Sequence, residues 1–481
     1  MEKRQAPKGH FVNRHPSSIY RRICCFVLGR VALHVVLFAG LVVTTGSETR
    51  GDGPAPPHVI FVLADDLGPG DLGCAGGRVA ATPHLDAMAA AGTRFGAYYS
   101  AACICSPARC GLITGQFPGR WRLTSYLQTL AGNRLCEQAD FLDPQAPSLP
   151  RALQAAGYAT AHFGKWHLGG GRDVADAPDF AAYGYDAHAG TWESPAPDPA
   201  ITARDWVWSD ADRVKRWERT GYFVDRTLDF LEREGDRPCF VNLWLDDPHT
   251  PWVPDATAGK GADTPENLRG VIEELDRQMG RLRAGLRRLG IERRTLLIFT
   301  SDNGPLPTFD GGRSGALRGS KLSLYEGGIR VPFVAEWPGV VPAGSVDEET
   351  VVSAVDVYPT ICGLAGVPLP AGMKPDGEDR SESLRGRPPR GPRRPLFWEY
   401  GRNAQAFKYP TADNGGRPGD RSPNLAVRDG RWKLLVNADG TGSELYDLVA
   451  DPSERHDLAA AEPAEAARLR DMLLSWRRSL P

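Results

Sequence analysis

Short apolar runs recur along the chain and predict buried β-strands. The first run, at 58–64 (HVIFVLA), is continuous and rich in β-branched residues, which is typical of a parallel strand covered on both faces. Similar runs occur at 159–163, 240–245, 295–300 and 331–336. Together they predict the core strands of one sheet.

Helical patterns lie between these strands. Residues 82–92 begin with Thr-Pro and end with Gly, and residues 148–157 have a similar layout, as expected of helix start and stop signals. Residues 265–289 carry apolar side chains at helical spacing. Strands that alternate with helices favour an α/β fold with a mainly parallel sheet sandwiched by helices.

The pattern changes after residue 370. Residues 371–395 are rich in Gly, Pro, Arg and acidic residues and show little periodicity, so we interpret 371–423 as a linker with surface loops. Short strand-like runs with Asp-Gly turns then fill 424–449. The final segment places Leu469, Leu473 and Trp476 on one helical face. We therefore predict a smaller C-terminal subdomain at 424–481, built from an antiparallel sheet and a helix.

Composition narrows the functional classes. The 481 residues are 41% hydrophobic and 24% charged, as in ordinary globular proteins. The formal net charge is −2. A chain without a basic field is poorly suited to nucleic acid, so we expect no nucleic-acid partner.

The N-terminus predicts export. A basic region precedes an apolar run at 31–43, and small residues follow it, which indicates a secretory signal peptide over 1–46. Counting residues 23–28 as well leaves an uncleaved N-terminal anchor as the alternative, and only in that case is membrane association expected. We interpret 47–57 as a spacer. The expected location is periplasmic, extracellular or lumenal. Cleavage leaves seven of the nine cysteines, an odd number, so at least one is not in a disulfide.

Acidic residues follow two of the predicted strands. Asp65 and Asp66 end the first run, and Asp302 and Asn303 come directly after the run at 295–300. Ligands of doubly wound sheets bind beyond the carboxyl ends of the strands. Such oxygen donors suit Ca²⁺ or Mg²⁺ better than zinc. The alternative is that these residues only form turns.

Basic residues follow two further strands. Lys165 and His167 come after the run at 159–163, and His249 comes after the run at 240–245. Such residues can bind an anion and transfer protons, although a single histidine is more often structural. We assign Asp246 and Asp247 to a turn.

A third element surrounds Cys105. Ser106 and Pro107 are typical of a helix start, with Ser106 as the cap. This places Cys105 at a helix N-terminus, where an anion is favoured, and Arg109 adds further donors. The position suits a thiolate or an oxyanion. The alternative is that Cys103, Cys105 and Cys110 are disulfide partners, as is common in an exported protein.

The ordered set of these motifs resembles the type I sulfatases of the alkaline phosphatase superfamily. CSPAR followed by LITG is similar to their Cys-x-Pro-x-Arg signature, and GYAT followed by GKWHLG is similar to their second signature. Five further strings follow the family's order over 57–478: VLADDLGPGDLGCAG, TPHLDAMAAAGTRF, FTSDNGP, KLSLYEGGIRVPFVAEWPG and ELYDLVADPSERHDL. The resemblance implies an alkaline-phosphatase-like fold with the catalytic domain at 58–370. Two positions depart from the family pattern, Ala108 where Ser is usual and Pro69 where an aromatic residue is common.

The resemblance also implies the chemistry, which is arylsulfatase-like hydrolysis of sulfate monoesters. A separate formylglycine-generating enzyme would oxidise Cys105 to Cα-formylglycine (3-oxoalanine), whose hydrate would attack sulfur. Ca²⁺, with Mg²⁺ as the alternative, would be held by Asp65, Asp66, Asp302, Asn303 and the modified residue 105. Arg109, Lys165 and Lys321 would neutralise negative charge. His167 would be the base, and His249 together with Lys321 would protonate the leaving group.

The sequence predicts the class of substrate. We expect a sulfated carbohydrate, with an aryl sulfate as the alternative, and place specificity in loops at 170–235, 250–265 and 370–425. Four tryptophans could stack on sugars or belong to the core: Trp192, Trp206, Trp208 and Trp217. The runner-up activity is a phosphodiesterase or phosphonate hydrolase on the same fold, although the sequence shows no second Asp/His cluster for a two-metal site. A protein unmodified at Cys105 could instead be a non-catalytic carbohydrate-binding protein or an anchored surface protein.

Overall fold

The central sheet is built around the strand that the first apolar run predicts. The computed structural model describes residues 55–201, 209, 211–258, 263–403, 405–406 and 418–481. The predicted signal or anchor at 1–46 and most of the spacer lie outside these residues. The strands are β1 His58–Ala64, β2 Thr93–Phe95, β3 Tyr98–Tyr99, β4 Ala159–Gly164, β5 Ala187–Gly190, β6 Cys239–Trp244, β7 Thr295–Ser301, β8 Phe333–Glu336, β9 Ser345–Asp347, β10 Val352–Ser353, β11 Leu396–Glu399, β12 Leu425–Asp429, β13 Trp432–Val436 and β14 Glu444–Asp447.

Helices connect and cover these strands. They are α1 Pro83–Ala91, α2 Cys105–Thr114, α3 Leu130–Leu135, α4 Leu149–Ala155, α5 Arg219–Glu234, α6 Pro265–Arg288, α7 Glu326–Ile329, α8 Val357–Ala365, α9 Ser381–Leu384 and α10 Pro463–Arg478. The predicted start and stop signals hold for α1, which Thr82 and Gly92 flank. Thr264 caps α6 by accepting a hydrogen bond from the backbone N–H of Asn267.

An eight-stranded sheet forms the core, in the order β5-β4-β6-β1-β7-β8-β2-β9. Neighbouring strands from β5 to β7 run parallel, which confirms the mainly parallel α/β fold. Alternate residues of β1 pack into two different apolar clusters, Val59 and Phe61 into one and Ile60 and Val62 into the other. Helices α2, α4 and α8 contribute to the first cluster, and α5 and α6 to the second. The sheet is therefore sandwiched by helices.

The run at 331–336 departs from the parallel pattern. Its strand, β8, begins at Phe333 and is antiparallel to β7. Parallel neighbours need a long crossover, usually a helix, whereas the described residues between β7 and β8 contain only the four-residue α7 and a short 3₁₀ segment. The chain therefore returns in the opposite direction.

The C-terminal part forms its own small sheet, as predicted. Strands β11-β12-β13-β14 are antiparallel neighbours, and α10 packs Leu469 and Leu473 against β12 and β13. Strand β11 and helix α9 both lie within 371–423, which was expected to be linker and loops. The apolar run of β11 is only four residues long, and the surrounding Pro, Gly and Arg residues hide it in the sequence.

Within the described residues, no helix is both long enough and apolar enough to cross a membrane.

Candidate active site

The carboxyl ends of β1 and β7 bring the predicted acidic residues together. Ala64 and Ser301 are partners in the parallel register, so Asp65 and Asp302 follow adjacent strand ends. The backbone N–H of Asp66 donates to Asp302 Oδ1 at 3.2 Å, and Asn303 Nδ2 donates to Asp66 Oδ1 at 2.7 Å. All four side chains are buried. These residues therefore form one oxygen-rich group and not two separate turns.

This group has the donors of a hard-cation site. The carbonyl oxygen Oδ1 of Asn303 is buried and has no hydrogen-bond partner in the described part of the chain, and such an oxygen is suited to a cation. Ligand atoms of Asp65, Asp66, Cys105 and His249 all lie within 4.8 Å of one another. Compared with the predicted ligand set, this cluster includes His249 and lacks Asp302.

Asp302 lies outside this cluster because its side chain is bound to Arg109. Its Nη2 and Nε donate to Asp302 Oδ2 at 2.8 and 3.1 Å, and its Nη1 donates to the carbonyl oxygen of Lys165 at 2.8 Å. Asp302 Oδ2 is thus directed toward a guanidinium. Burial and the neighbouring charge of Asp65 raise the pKa of Asp302 to about 7.

Two lysines complete the charge pairing. Lys165 Nζ lies 2.5 Å from Asp65 Oδ2, and Lys321 Nζ lies 2.7 Å from Asp66 Oδ2. Burial alone would raise the pKa of Asp65, but Lys165, His249 and Arg109 together hold it well below its usual range. The carboxylate is therefore ionised and available to a cation at neutral pH.

Cys105 is the first residue of α2 and faces this group. Its Sγ lies 3.5 Å from Asp65 Oδ1. Burial and the charge of Asp65 raise the pKa of the Cys105 thiol well above its usual value, so a thiolate is disfavoured. All seven cysteines of the described residues are free; the disulfide alternative for Cys103, Cys105 and Cys110 is therefore wrong.

The predicted serine cap of α2 is also wrong. Ile104 occupies the cap position without a side-chain hydrogen bond. Ser106 Oγ instead accepts a hydrogen bond from the backbone N–H of Leu127 at 3.0 Å. The hydroxyl thus fixes a neighbouring loop and not the helix end, although Cys105 still begins the helix.

The two predicted histidines border the group on different loops. His167 Nε2 lies 3.3 Å from the carbonyl oxygen of Leu127 and 3.3 Å from Glu193 Oε2. His249 Nδ1 donates to the carbonyl oxygen of Thr250 at 2.7 Å, and its Nε2 lies 3.6 Å from Asp66 Oδ2. Burial and the charge of Lys321 lower the pKa of His249 to about 4, so this ring is neutral near pH 7.

Asp246 and Asp247 do more than form the predicted turn. Both are buried and ion-paired, Asp246 with Arg219 at 2.9 Å and Asp247 with Arg216 at 2.6 Å. Arg216 Nη2 also donates to the carbonyl oxygens of Asp246 and His249 at 3.0 and 3.1 Å. This network therefore fixes the loop that carries His249.

A cavity of about 430 Å³ opens onto this site. Cys105, His167, His249 and Lys321 line it, together with Tyr126 and Arg172. Sequence reasoning missed the last two and the buried Glu193. The only signal for Arg172 and Glu193 was their place in the predicted specificity segment 170–235.

The four tryptophans that could stack on sugars do not share one location, and the structure describes two of them. Trp192 is half-buried, with the guanidinium of Arg172 at 5.2 Å from its ring centroid. Trp217 lines a separate cavity. Trp206 and Trp208 lie outside the described residues. Of the two tryptophans that the structure describes, Trp192 is therefore the one linked, through Arg172, to the cavity that Cys105 lines.

Comparison with known families decides what kind of protein carries this site. The Sulfatase family model matches residues 57–367, which is more than half of the chain. The chain belongs to the sulfatase family. A second model, N-sulphoglucosamine sulphohydrolase, C-terminal, matches residues 320–477 of this sulfatase.

Characterised relatives resemble this sulfatase over most of their length. Mouse (Mus musculus) steryl-sulfatase is 29% identical over 90% of the chain and 83% of the relative, and human (Homo sapiens) arylsulfatase A is 30% identical over 87% of each. An N-acetylgalactosamine-6-O-sulfatase of Bacteroides thetaiotaomicron is 26% identical over 91% of the chain and 98% of the relative. The sulfatase is thus a sulfuric ester hydrolase.

Solved structures confirm the alkaline-phosphatase-like fold of the sulfatase. Ps i-CgsB in complex with k-i-k-neocarrahexaose matches with a TM-score of 0.70 and 23% identity, over 88% of this chain and 93% of that one. The phosphonate monoester hydrolase of Agrobacterium radiobacter matches with a TM-score of 0.62 and 23% identity, over 88% and 96%. At this identity, each likeness concerns the fold alone.

Proposed function

We propose that this sulfatase hydrolyses sulfate monoesters of carbohydrates with a Cα-formylglycine at position 105 and a bound Ca²⁺ ion. One observation carries the proposal, namely that Cys105 begins a helix directly against the Asp65–Asp66 group and opens to a cavity. The similarity to an N-acetylgalactosamine-6-O-sulfatase supports a sugar substrate. The raised pKa of the buried Cys105 thiol makes it a poor nucleophile by itself, which supports its proposed role as the precursor of the formylglycine.

The oxygen donors support a cation site. Asp65, Asp66, Asp302 and Asn303 would hold Ca²⁺ together with residue 105, and the buried Asn303 Oδ1, which has no hydrogen-bond partner among the described residues, supports this assignment. Bound there, Ca²⁺ or Mg²⁺ supplies Lewis-acid stabilisation of negative charge. The hydrated aldehyde of formylglycine supplies a hydroxyl nucleophile for sulfur and a second hydroxyl for the release of sulfate.

Three cations of the chain neutralise the sulfate. Arg109, Lys165 and Lys321 lie against the same carboxylates, and the site is buried. Fixed positive charges in a site shielded from water stabilise negative charge that develops during reaction without reorganising solvent. We propose that they hold the sulfonyl oxygens while the ester bond breaks.

The histidines move protons. Because His249 Nδ1 donates to the carbonyl oxygen of Thr250, Nε2 of the neutral ring must take up a proton before it can donate to the leaving oxygen. A bound sulfate raises the pKa of this ring, since an adjacent anion favours the imidazolium. His167 is proposed as the base for residue 105, with Glu193 and the carbonyl oxygen of Leu127 directing its ring.

The decisive test combines mass spectrometry with a substitution. When the chain is produced together with a formylglycine-generating enzyme, we expect the peptide that contains residue 105 to carry an aldehyde or its hydrate. Cys105→Ala should abolish the release of inorganic sulfate while the circular dichroism spectrum and Tm stay close to those of the unmodified protein. Cys362→Ala, at another buried free cysteine, is the matched control and should keep the aldehyde at position 105.

Two outcomes would contradict the proposal. One is full activity of Cys105→Ala, and the other is preference for phosphate diesters or phosphonate esters over every sulfate ester offered. The second outcome would favour the activity of the phosphonate hydrolase that shares this fold.

We further propose that residues 1–46 are a secretory signal and that the mature protein is exported. Sequencing the N-terminus of protein recovered outside the cytoplasm tests this. A new N-terminus close to Ser47 is expected, whereas an intact Met1 in a membrane fraction would identify an anchor.

A further inference from the structure

Arg172 lies at the cavity but has no role in the proposed reaction. It lines the cavity shared by Cys105, His249 and Lys321. Its backbone φ is +54°, in the left-handed region that L-residues other than glycine rarely adopt, and His167 in the same loop has a φ of +53°. Backbone held in this region tends to occur at functional sites.

The Arg172 guanidinium is held in place from two sides. One Nη donates to Glu193 Oε1, and the carbon of the guanidinium lies 5.2 Å from the ring centroid of Trp192. Glu193 is buried, whereas the side chain of Arg172 keeps 24% exposure. Nε and the other Nη contact no acceptor among the described residues. A fixed fork with unused donors is suited to binding an oxyanion.

The neighbours of Arg172 differ from those of the other cations. Arg109, Lys165 and Lys321 all pair with carboxylates of the Asp65–Asp66–Asp302 group, where the reacting sulfate is proposed to bind. Arg172 pairs with Glu193 instead, and no Asp or Glu is found among the described residues that line the cavity. The cavity therefore presents the donors of a guanidinium in addition to the cations assigned to the scissile group.

We propose that Arg172 is a specificity-determining residue that binds a second anionic group, either a carboxylate or a second sulfate, on the alcohol part of the ester. The inference rests on the proposed function, because it places the first sulfate beside residue 105. Trp192 and Glu193 act as positioning residues that hold the guanidinium toward the cavity.

The test compares esters that differ in charge. The probes are N-acetylglucosamine 6-sulfate with one charge, glucosamine 2,6-disulfate with a second sulfate, and glucuronic acid 2-sulfate with a carboxylate. Binding to Cys105→Ala protein, which cannot turn the probes over, is measured by calorimetry with and without Arg172→Gln. Loss of a charge-assisted hydrogen bond should raise the Kd of at least one doubly charged ester about tenfold or more relative to the singly charged ester.

Kinetic data on the active protein provide a second readout. Arg172→Gln should lower the ratio of kcat/KM for the doubly charged ester to that for the singly charged ester by a similar factor, and Arg172→Lys should recover part of it. Arg78→Gln, at an exposed arginine outside the cavity lining, is the matched control and should keep the ratio of the parent protein. Loss on the disulfate alone assigns a second sulfate, and loss on the uronate alone assigns a carboxylate.

Failure of the inference and failure of the proposed function look different. If the parent protein releases sulfate but Arg172→Gln affects all three esters equally, or none of them, Arg172 does not select charge and the inference is overturned. If the correctly modified parent protein releases sulfate from no ester, the proposed function falls, and the inference falls with it.

Discussion

At the scale of single residues, the site depends on charges that are buried but paired. Lys165 and Asp65 are both inaccessible to solvent, and their charged atoms lie 2.5 Å apart. Removing one partner of such a pair leaves an uncompensated buried charge, which is far more costly than the net value of the pair.

A substitution of Lys165 therefore reports on the cation. Lys165→Met should lower the free energy of unfolding by about 3 kcal/mol in the presence of EDTA. The loss should be smaller in excess Ca²⁺, because the ion then compensates Asp65. Urea unfolding under both conditions measures this. Lys374→Met, at an exposed lysine, should show neither effect, and an equal loss with and without Ca²⁺ would contradict a cation at Asp65.

Asn303 offers a second test of the cation site. Its Oδ1 is the donor that the protein leaves unused, so Asn303→Ala should weaken Ca²⁺ binding at least about tenfold, by analogy with the loss of groups that support metal ligands. Calorimetric titration of metal-free protein measures the affinity. Asn437→Ala, in the C-terminal subdomain, is the control, and an unchanged affinity of Asn303→Ala would remove this residue from the ligand set.

What the sequence could predict at this scale follows from strand geometry. Asp65, Asp66 and Asp302 could be placed together because parallel strands end at one edge of the sheet. The position of Arg172 depends on a loop with positive φ values, which leaves no periodic signal, and its partner Glu193 is 21 residues away along the chain. Ser106 was assigned to the wrong contact because the competing donor, the Leu127 N–H, is 21 residues away along the chain.

At the scale of elements, a buried ionic triad joins the C-terminal sheet to helix α7, which lies between β7 and β8. Lys433 on β13 has its Nζ 2.9 Å from Glu326 Oε1, at the start of α7, and 2.9 Å from Glu454 Oε1. Glu454 Oε2 also accepts a hydrogen bond from the Glu326 N–H at 2.6 Å. Helix α7 follows the loop of Lys321, so the triad supports one wall of the cavity. The sequence motifs contain Glu326 and Glu454 but not Lys433, and they do not reveal that the three residues meet.

Removing the lysine should be worse than removing the whole triad. Lys433→Met leaves two buried carboxyl groups without their cation and should cost about 3–5 kcal/mol of unfolding free energy. The triple variant Lys433→Met/Glu326→Gln/Glu454→Gln should recover much of that loss, since no unpaired charge remains. Denaturant unfolding of both variants checks the order. A triple variant that is less stable than the single variant would show that hydrogen bonding, and not charge, dominates at this junction.

At the scale of the whole molecule, the free energy of unfolding depends on pH through several buried groups. The contributions of the buried glutamates and of the buried histidines change in opposite directions as the pH rises. Burial raises the pKa values of Glu193 and Glu454 from the ordinary value of 4.5 to about 7. Their stabilising contribution is complete below pH 4.5 and is lost as the pH rises to about 7, because only the unfolded chain releases the protons readily. Burial lowers the pKa values of His58 and His249 to about 4, so stability from these rings is gained over the same range. The overall curve therefore does not identify any single group.

A difference between two proteins isolates one group. Glu454→Gln removes a single titration, so its unfolding free energy should rise relative to that of the parent protein between about pH 5 and 7, by up to about 1.4 kcal/mol per pH unit. Denaturant unfolding at a series of pH values measures the difference, with Glu273→Gln at an exposed position expected to run parallel to the parent. Parallel curves for Glu454→Gln would mean that Glu454 is already ionised in the folded protein. Lys433 would then have to compensate two carboxylates instead of one.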